Sequence, residues 1–236
     1  ARQYRYKMRA YSSYLSGLAL VQILGMFLSL NGSSSSSTSN STYELSVHFH
    51  SARILVIFTA IWIFVVSILI SSRASKNAIF SFPGNRNTDS LSDIAFILTG
   101  CLFGALTTTL AGAALRVVLL PFLQGQILAE GFYPAFGQLS TIALAAIIHM
   151  LVFSAAGYFA GTLFRISKLL IIPVSAFVFF LFYYGNSHSD AFSSLIASEP
   201  SYEGALPAAL IFAALGISII LFSLSAVISS RMEVKK

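Results

Sequence analysis

Apolar residues in this chain come in long unbroken blocks, and short polar, mostly basic segments separate them. An α-helix needs roughly 17 to 25 apolar residues to cross a hydrocarbon core about 30 Å thick. Six blocks are candidates, the fifth of them short: 14–30, 54–70, 94–115, 139–163, 169–184 and 206–228. The period-two alternation of a membrane β-barrel strand is missing. In lipid only helices and closed barrels satisfy every backbone polar group. The pattern therefore predicts an all-α integral membrane protein, a single transmembrane domain over 1–236 with six transmembrane helices.

Composition points the same way, with 56% hydrophobic and 9% charged residues and a mean hydropathy of +0.82. Soluble domains carry about 25% charged residues. Charge then sets orientation, because short loops rich in Lys and Arg stay cytoplasmic. With the N-terminus inside, twelve of the fourteen basic residues fall inside, leaving only Arg53 and Arg116 near the outer face. Both termini are therefore expected in the cytoplasm, in a multi-pass protein of the cell membrane. The net charge of +6 is a topological signal and gives no reason to expect nucleic acid as a partner.

The segments between blocks have distinct characters. In residues 1–13, Tyr4, Met8 and Tyr11 fit one helical face while Arg and Lys snorkel to lipid phosphates, as in a short interfacial helix; a plain positive-inside anchor without a helix fits equally. No cleavable signal peptide is expected, since no Ala-x-Ala-like site follows the first block. Residues 31–51 are Ser-rich and predicted to form a flexible external loop. His48 and His50 lack further ligands for a metal site. Residues 117–137, broken by Pro121, Gly125, Gly131 and Pro134, read as an external or re-entrant element, and 185–205 as an external loop.

The polar, basic stretch 71–93 is the cytoplasmic loop around which the chain is organised. Pro83-Gly84 marks a turn, and Ser90-x-x-Asp93 predicts an N-terminal cap for the third span. Asp89 and Asp93 suit a helix N-terminus, where negative charge is favoured. Ala78, Ile79, Phe80 and Phe82 form an apolar knob beside cations. Such a knob either docks into a cytoplasmic partner or folds back onto headgroups.

Six spans with both termini inside, a basic amphipathic lead-in, and a first cytoplasmic loop carrying Phe82, Pro83 and Arg86 before Leu91-Ser92-Asp93 resemble the permease subunits of ABC-2 type transporters, the small bacterial exporters above all. The topology match covers essentially the whole chain, and the sequence match is confined to about residues 79–94. The resemblance implies that this loop couples to an ABC ATPase subunit. Ile79, Phe80, Phe82, Pro83 and Arg86 would transmit nucleotide-driven motion to the second and third spans. It implies further a second permease chain, identical or similar, and ATP and Mg bound in the partner ATPase, with no cofactor bound by this chain.

Within the spans, Gly100-x-x-x-Gly104 and Gly157-x-x-x-Gly161 are candidates for close helix packing. Arg116 either snorkels at the outer interface or guards a cavity mouth, pairing with Glu130 or an anionic substrate. His149 falls near mid-membrane, where an imidazole is either functional or simply hydrogen-bonded to a neighbour. These three are the candidates for a substrate path or gate. The lone Cys101 rules out an intrachain disulfide. Phosphate-cradling, metalloprotease and nucleophile-elbow motifs are absent, so the chain is not expected to be an enzyme or to hold a metal. The sequence favours a permease subunit that exports an amphipathic or hydrophobic peptide, lipid or drug. The alternative is a secondary transporter or channel without an ATPase.

Overall fold

A computed structural model describes residues 2–31, 33–40, 43–50, 53–72, 86–119, 136–166 and 208–231. The described apolar blocks are helical, as intra-segment hydrogen bonding in lipid demands. In chain order the elements are α1 (Arg2–Ala10), α2 (Ser12–Asn31), β1 (Ser33–Asn40), β2 (Tyr43–His50), α3 (Arg53–Ser71), α4 (Arg86–Leu119), α5 (Phe136–Ile166) and α6 (Ala208–Arg231). Among the described residues, five helices, α2 to α6, are long and apolar enough to cross a membrane. The block expected at 169–184 lies outside the described residues.

Helix α3, the most apolar of the five spans, is the centre of the bundle, with Leu55, Ile63, Val66 and Ile70 buried. It runs antiparallel to α2, where Gly25 meets Leu55 and Gly17 meets Trp62. It is antiparallel to α4 as well, where Gly104 meets Thr59 and Gly100 meets Ile63. Against α5 it runs parallel and closest, since a Cβ added to Gly157 would lie 2.5 Å from the Phe64 carbonyl oxygen. Gly161 sits one turn on, where a Cβ would be 2.8 Å from Ser71 Cβ. Without a hydrophobic drive between helices in lipid, such close approach supplies the attraction. The outward faces of α2 and α6 are largely apolar, with Leu20 and Phe212 more than two-thirds exposed.

Helix α6 lies parallel to α5, with the Tyr158 and Phe222 rings 5.9 Å apart and Arg165 donating to Ser229 Oγ at 3.2 Å. One end of the bundle thus gathers α1, the starts of α2 and α4, and the ends of α3, α5 and α6. The chain leaves α5 at this end and enters α6 at the other. Arg5, Lys7, Arg9, Arg86, Arg165 and Arg231 all belong to the crowded end.

Three expectations change. Residues 86–93 are helix rather than loop: α4 begins at Arg86 and runs 34 residues, about 50 Å at 1.5 Å per residue. Ser90 and Asp93 therefore lie inside the helix and do not cap it; both are buried. The Ser-rich segment forms an antiparallel hairpin with β2, pairing Ser33 with His50 and Asn40 with Tyr43. Its ladder uses main-chain groups, which serine supplies as well as any residue, and β2 contributes the strand-forming Tyr43, Val47 and Phe49. Finally, Lys7 does not snorkel outward, because α1 turns it into the bundle.

Candidate functional site

In α1, residues 4, 7, 8 and 11 recur at the spacing of one helical face. Tyr4, Met8 and Tyr11 pack against the apolar core of the bundle. Lys7 lies on this same stripe and is only 1% exposed. In α4, Asp89 and Asp93 are one turn apart and share a face. The two stripes meet where α1 crosses the start of α4.

Lys7 Nζ donates to Asp89 Oδ1 at 2.6 Å, to the Asp89 carbonyl oxygen at 2.9 Å, and to Asp93 Oδ1. An ammonium has three donors, and all three are used. Asp93 is fully buried and its other oxygen, Oδ2, accepts from the Tyr158 hydroxyl of α5 at 3.4 Å. Ser92 Oγ donates to the Asp89 carbonyl oxygen at 2.8 Å. Asp89 also lies in the first turn of α4, where the helix dipole favours a carboxylate.

Removing charges from water costs several kcal/mol per ion, and only close pairing with further hydrogen bonds offsets it. This cluster meets that condition with groups from three helices. Two neutral contacts flank it: Tyr4 and Thr99 share a 2.9 Å hydroxyl hydrogen bond, and the Tyr11 ring meets Phe96 edge-on at 5.7 Å. The arrangement holds no nucleophile with a base; what it does chemically is fix α1 and α5 to the first turns of α4. That first turn directly follows residues 73–85 in the sequence.

A second, neutral polar seam lies deeper. Gln22 Nε2 of α2 donates to Thr107 Oγ1 at 2.8 Å and Thr108 Oγ1 at 3.1 Å on α4. Thr108 donates on to Thr59 of α3 at 3.1 Å, and Thr59 to the Leu55 carbonyl oxygen at 2.8 Å. Ser71 and Thr162 join α3 to α5 at 2.9 Å.

The residues singled out from sequence fall elsewhere. Ile79, Phe80, Phe82, Pro83 and Glu130 lie outside the described residues. Arg86 opens α4 and Arg116 sits near its far end, with their side chains outside the described part. His149 is half-buried, with Nδ1 2.8 Å from the Ala145 carbonyl oxygen one turn back in its own helix. Gly100, Gly104, Gly157 and Gly161 all sit at helix crossings. Cys101 is buried, its Sγ 3.4 Å from Ser154 Oγ. Among the described residues no group of His, Cys, Asp and Glu could hold a metal ion.

The ion cluster went unread in the sequence, although its signal was present: a lysine within an apolar-aromatic stripe of α1, and an Asp-x-x-x-Asp pair preceding an apolar run. No protein-family model, no curated protein and no solved structure matches the chain.

Proposed function

We propose that this multi-pass membrane protein is the permease subunit of an ATP-driven exporter. In this proposal the segment 73–85 faces the cytoplasm and docks an ABC ATPase subunit through Ile79, Phe80, Phe82, Pro83 and the adjoining Arg86, and a pair of permease chains moves an amphipathic or hydrophobic substrate. The supporting observation is mechanical. Residues 73–85 are tied at one side to the end of α3 and at the other to the start of α4. At that same end Lys7 and Tyr158 bind α4 to α1 and α5. A displacement of the segment would thus be carried into four helices at once. The parallel course of α5 and α6 also suits the proposal, since a sixth crossing between them would bring both termini to the cytoplasmic side.

The test is purification of the tagged chain in nanodiscs from its native membrane, with and without the Phe82→Ala/Arg86→Ala double substitution. Co-purification of an ATP-hydrolysing subunit with the unaltered chain, and its loss with the altered one, is the expected result. If no ATPase accompanies the unaltered chain, the proposal fails.

A further inference from the structure

The burial of Lys7 changes what the rest of α1 presents. Arg5 and Arg9, four residues apart on one face, are exposed, and Tyr6 between them is 49% exposed. Among the described residues no carboxylate pairs with either arginine; the nearby acids Asp89 and Asp93 are engaged by Lys7. The outward face of α1 is therefore cationic and aromatic, while its inward face is locked.

Depth decides what this face meets. Tyr4 reaches Thr99, Lys7 reaches Asp89 and Asp93, and Tyr11 packs on Phe96. Helix α1 thus packs across the first turns of α4, between residues 89 and 99. The apolar stretch of α4 starts just before that interval, at Thr88, and its 28 residues rise about 42 Å, more than the roughly 30 Å hydrocarbon core and close to a bilayer with its headgroup regions, so its first turns fall at headgroup depth. A helix at this level lies beside the polar headgroups that flank the hydrocarbon core, and does not project into bulk solvent. Arginine there offers a forked, always-charged donor suited to phosphate, and tyrosine prefers the same zone.

We infer that Arg5, Tyr6 and Arg9 form a headgroup site for anionic phospholipid, held at headgroup depth by the Lys7 lock. Lys7 acts as a positioning residue: it spends its charge on α4, so that the two arginines stay in fixed register with the membrane surface and with the first turn of α4. A change in the anionic lipid bound at α1 is thereby transmitted to α4. The site is independent of whether an ATPase docks elsewhere on the molecule.

The test is lipid retention. The full chain is reconstituted in equimolar phosphatidylglycerol and phosphatidylcholine, extracted into mild detergent, and its co-purified lipid quantified. Unaltered protein should enrich phosphatidylglycerol, and Arg5→Gln/Arg9→Gln should lose most of that enrichment, on the order of fivefold per arginine. Lys7→Met keeps both arginines but releases α1, and should reduce the enrichment partially. Because Lys7→Met destabilises, the exposed double substitution carries the decision, with the fold checked by Trp62 emission. Millimolar inorganic phosphate should not displace the lipid; equal displacement would mean a free-phosphate site and overturn the inference. Unchanged enrichment in the double variant would overturn it too. So would loss of a co-purifying protein partner in the double variant with lipid retention intact, since the face would then belong to that partner.

Discussion

The ion cluster at the crowded end and the neutral hydroxyl seam that links α2, α3, α4 and α5 both join helices through polar groups, but they answer the loss of a partner differently. In the seam, Thr59, Thr107 and Thr162 each donate to the carbonyl four residues back in their own helix. Such a hydroxyl remains satisfied when its neighbour leaves, so each interhelical bond contributes little. In the cluster the bond is to a charge: Asp93 is fully buried, and the neutral Tyr158 hydroxyl that it also accepts from does not replace the Lys7 ammonium. Polar contacts of similar length thus hold helices together with very different force.

Removal of the ammonium should have the largest effect. Lys7→Met leaves Asp89 and Asp93 side by side and is expected to lower stability by about 3–5 kcal/mol, read from denaturant or thermal unfolding in nanodiscs; a loss under 1 kcal/mol would put the cluster on a par with the seam. Next comes steric separation of α3 from α5. Gly157→Ala drives a Cβ onto the Phe64 carbonyl and should cost about 1–3 kcal/mol, whereas Gly216→Ala, with nothing within 4 Å of its added Cβ, should cost nothing. Equal behaviour of the two would mean that α3 and α5 are not closely crossed.

Within the seam, Gln22→Leu removes two hydrogen bonds to α4, worth about 0.6 kcal/mol each in membrane proteins. The sum, near 1 kcal/mol, should appear in unfolding and leave the α3–α5 crossing intact, as measured by disulfide trapping between Ser71→Cys and Thr162→Cys, whose hydroxyls lie 2.9 Å apart, in a Cys101→Ser background. The smallest change belongs to Ser71→Ala. Thr162 keeps its bond to the Tyr158 carbonyl at 2.9 Å, so about 0.6 kcal/mol is expected. A loss as large as that of Lys7→Met would erase the distinction between charged and neutral seams.

Some of the site was legible in the sequence and some was not. Tyr4, Met8 and Tyr11 were readable as one face, because helical spacing alone decides it. Lys7 shares that face by the same spacing, yet a lysine beside a membrane is expected to snorkel, and only an acidic pair at the right height can hold it inside. Asp89 and Asp93 were attributed to the helix terminus, since nothing local to α4 distinguishes a dipole partner from a distant ammonium. The start of α4 was placed four to eight residues too late for a related reason. Asn87, Thr88, Asp89 and Ser90 are residues of caps and turns, and the contacts with Lys7 and the bundle carry the helix through them. The hairpin at 33–50 was missed because serine offers no side-chain pattern, and its pairing is made by the backbone.

The sequence alone determined the helical membrane class, the places of the five described spans and the gathering of basic residues toward one end. Each follows from block length and charge, which act residue by residue along the chain. Tertiary structure decided that α3 is central, that α5 and α6 run parallel, and that one lysine of the α1 cations is spent inside the protein while two arginines face out. Those outcomes depend on which helix lies against which. Lys7 and Asp89 are 82 residues apart, and only the assembled bundle brings their charges close enough to outweigh the cost of leaving water.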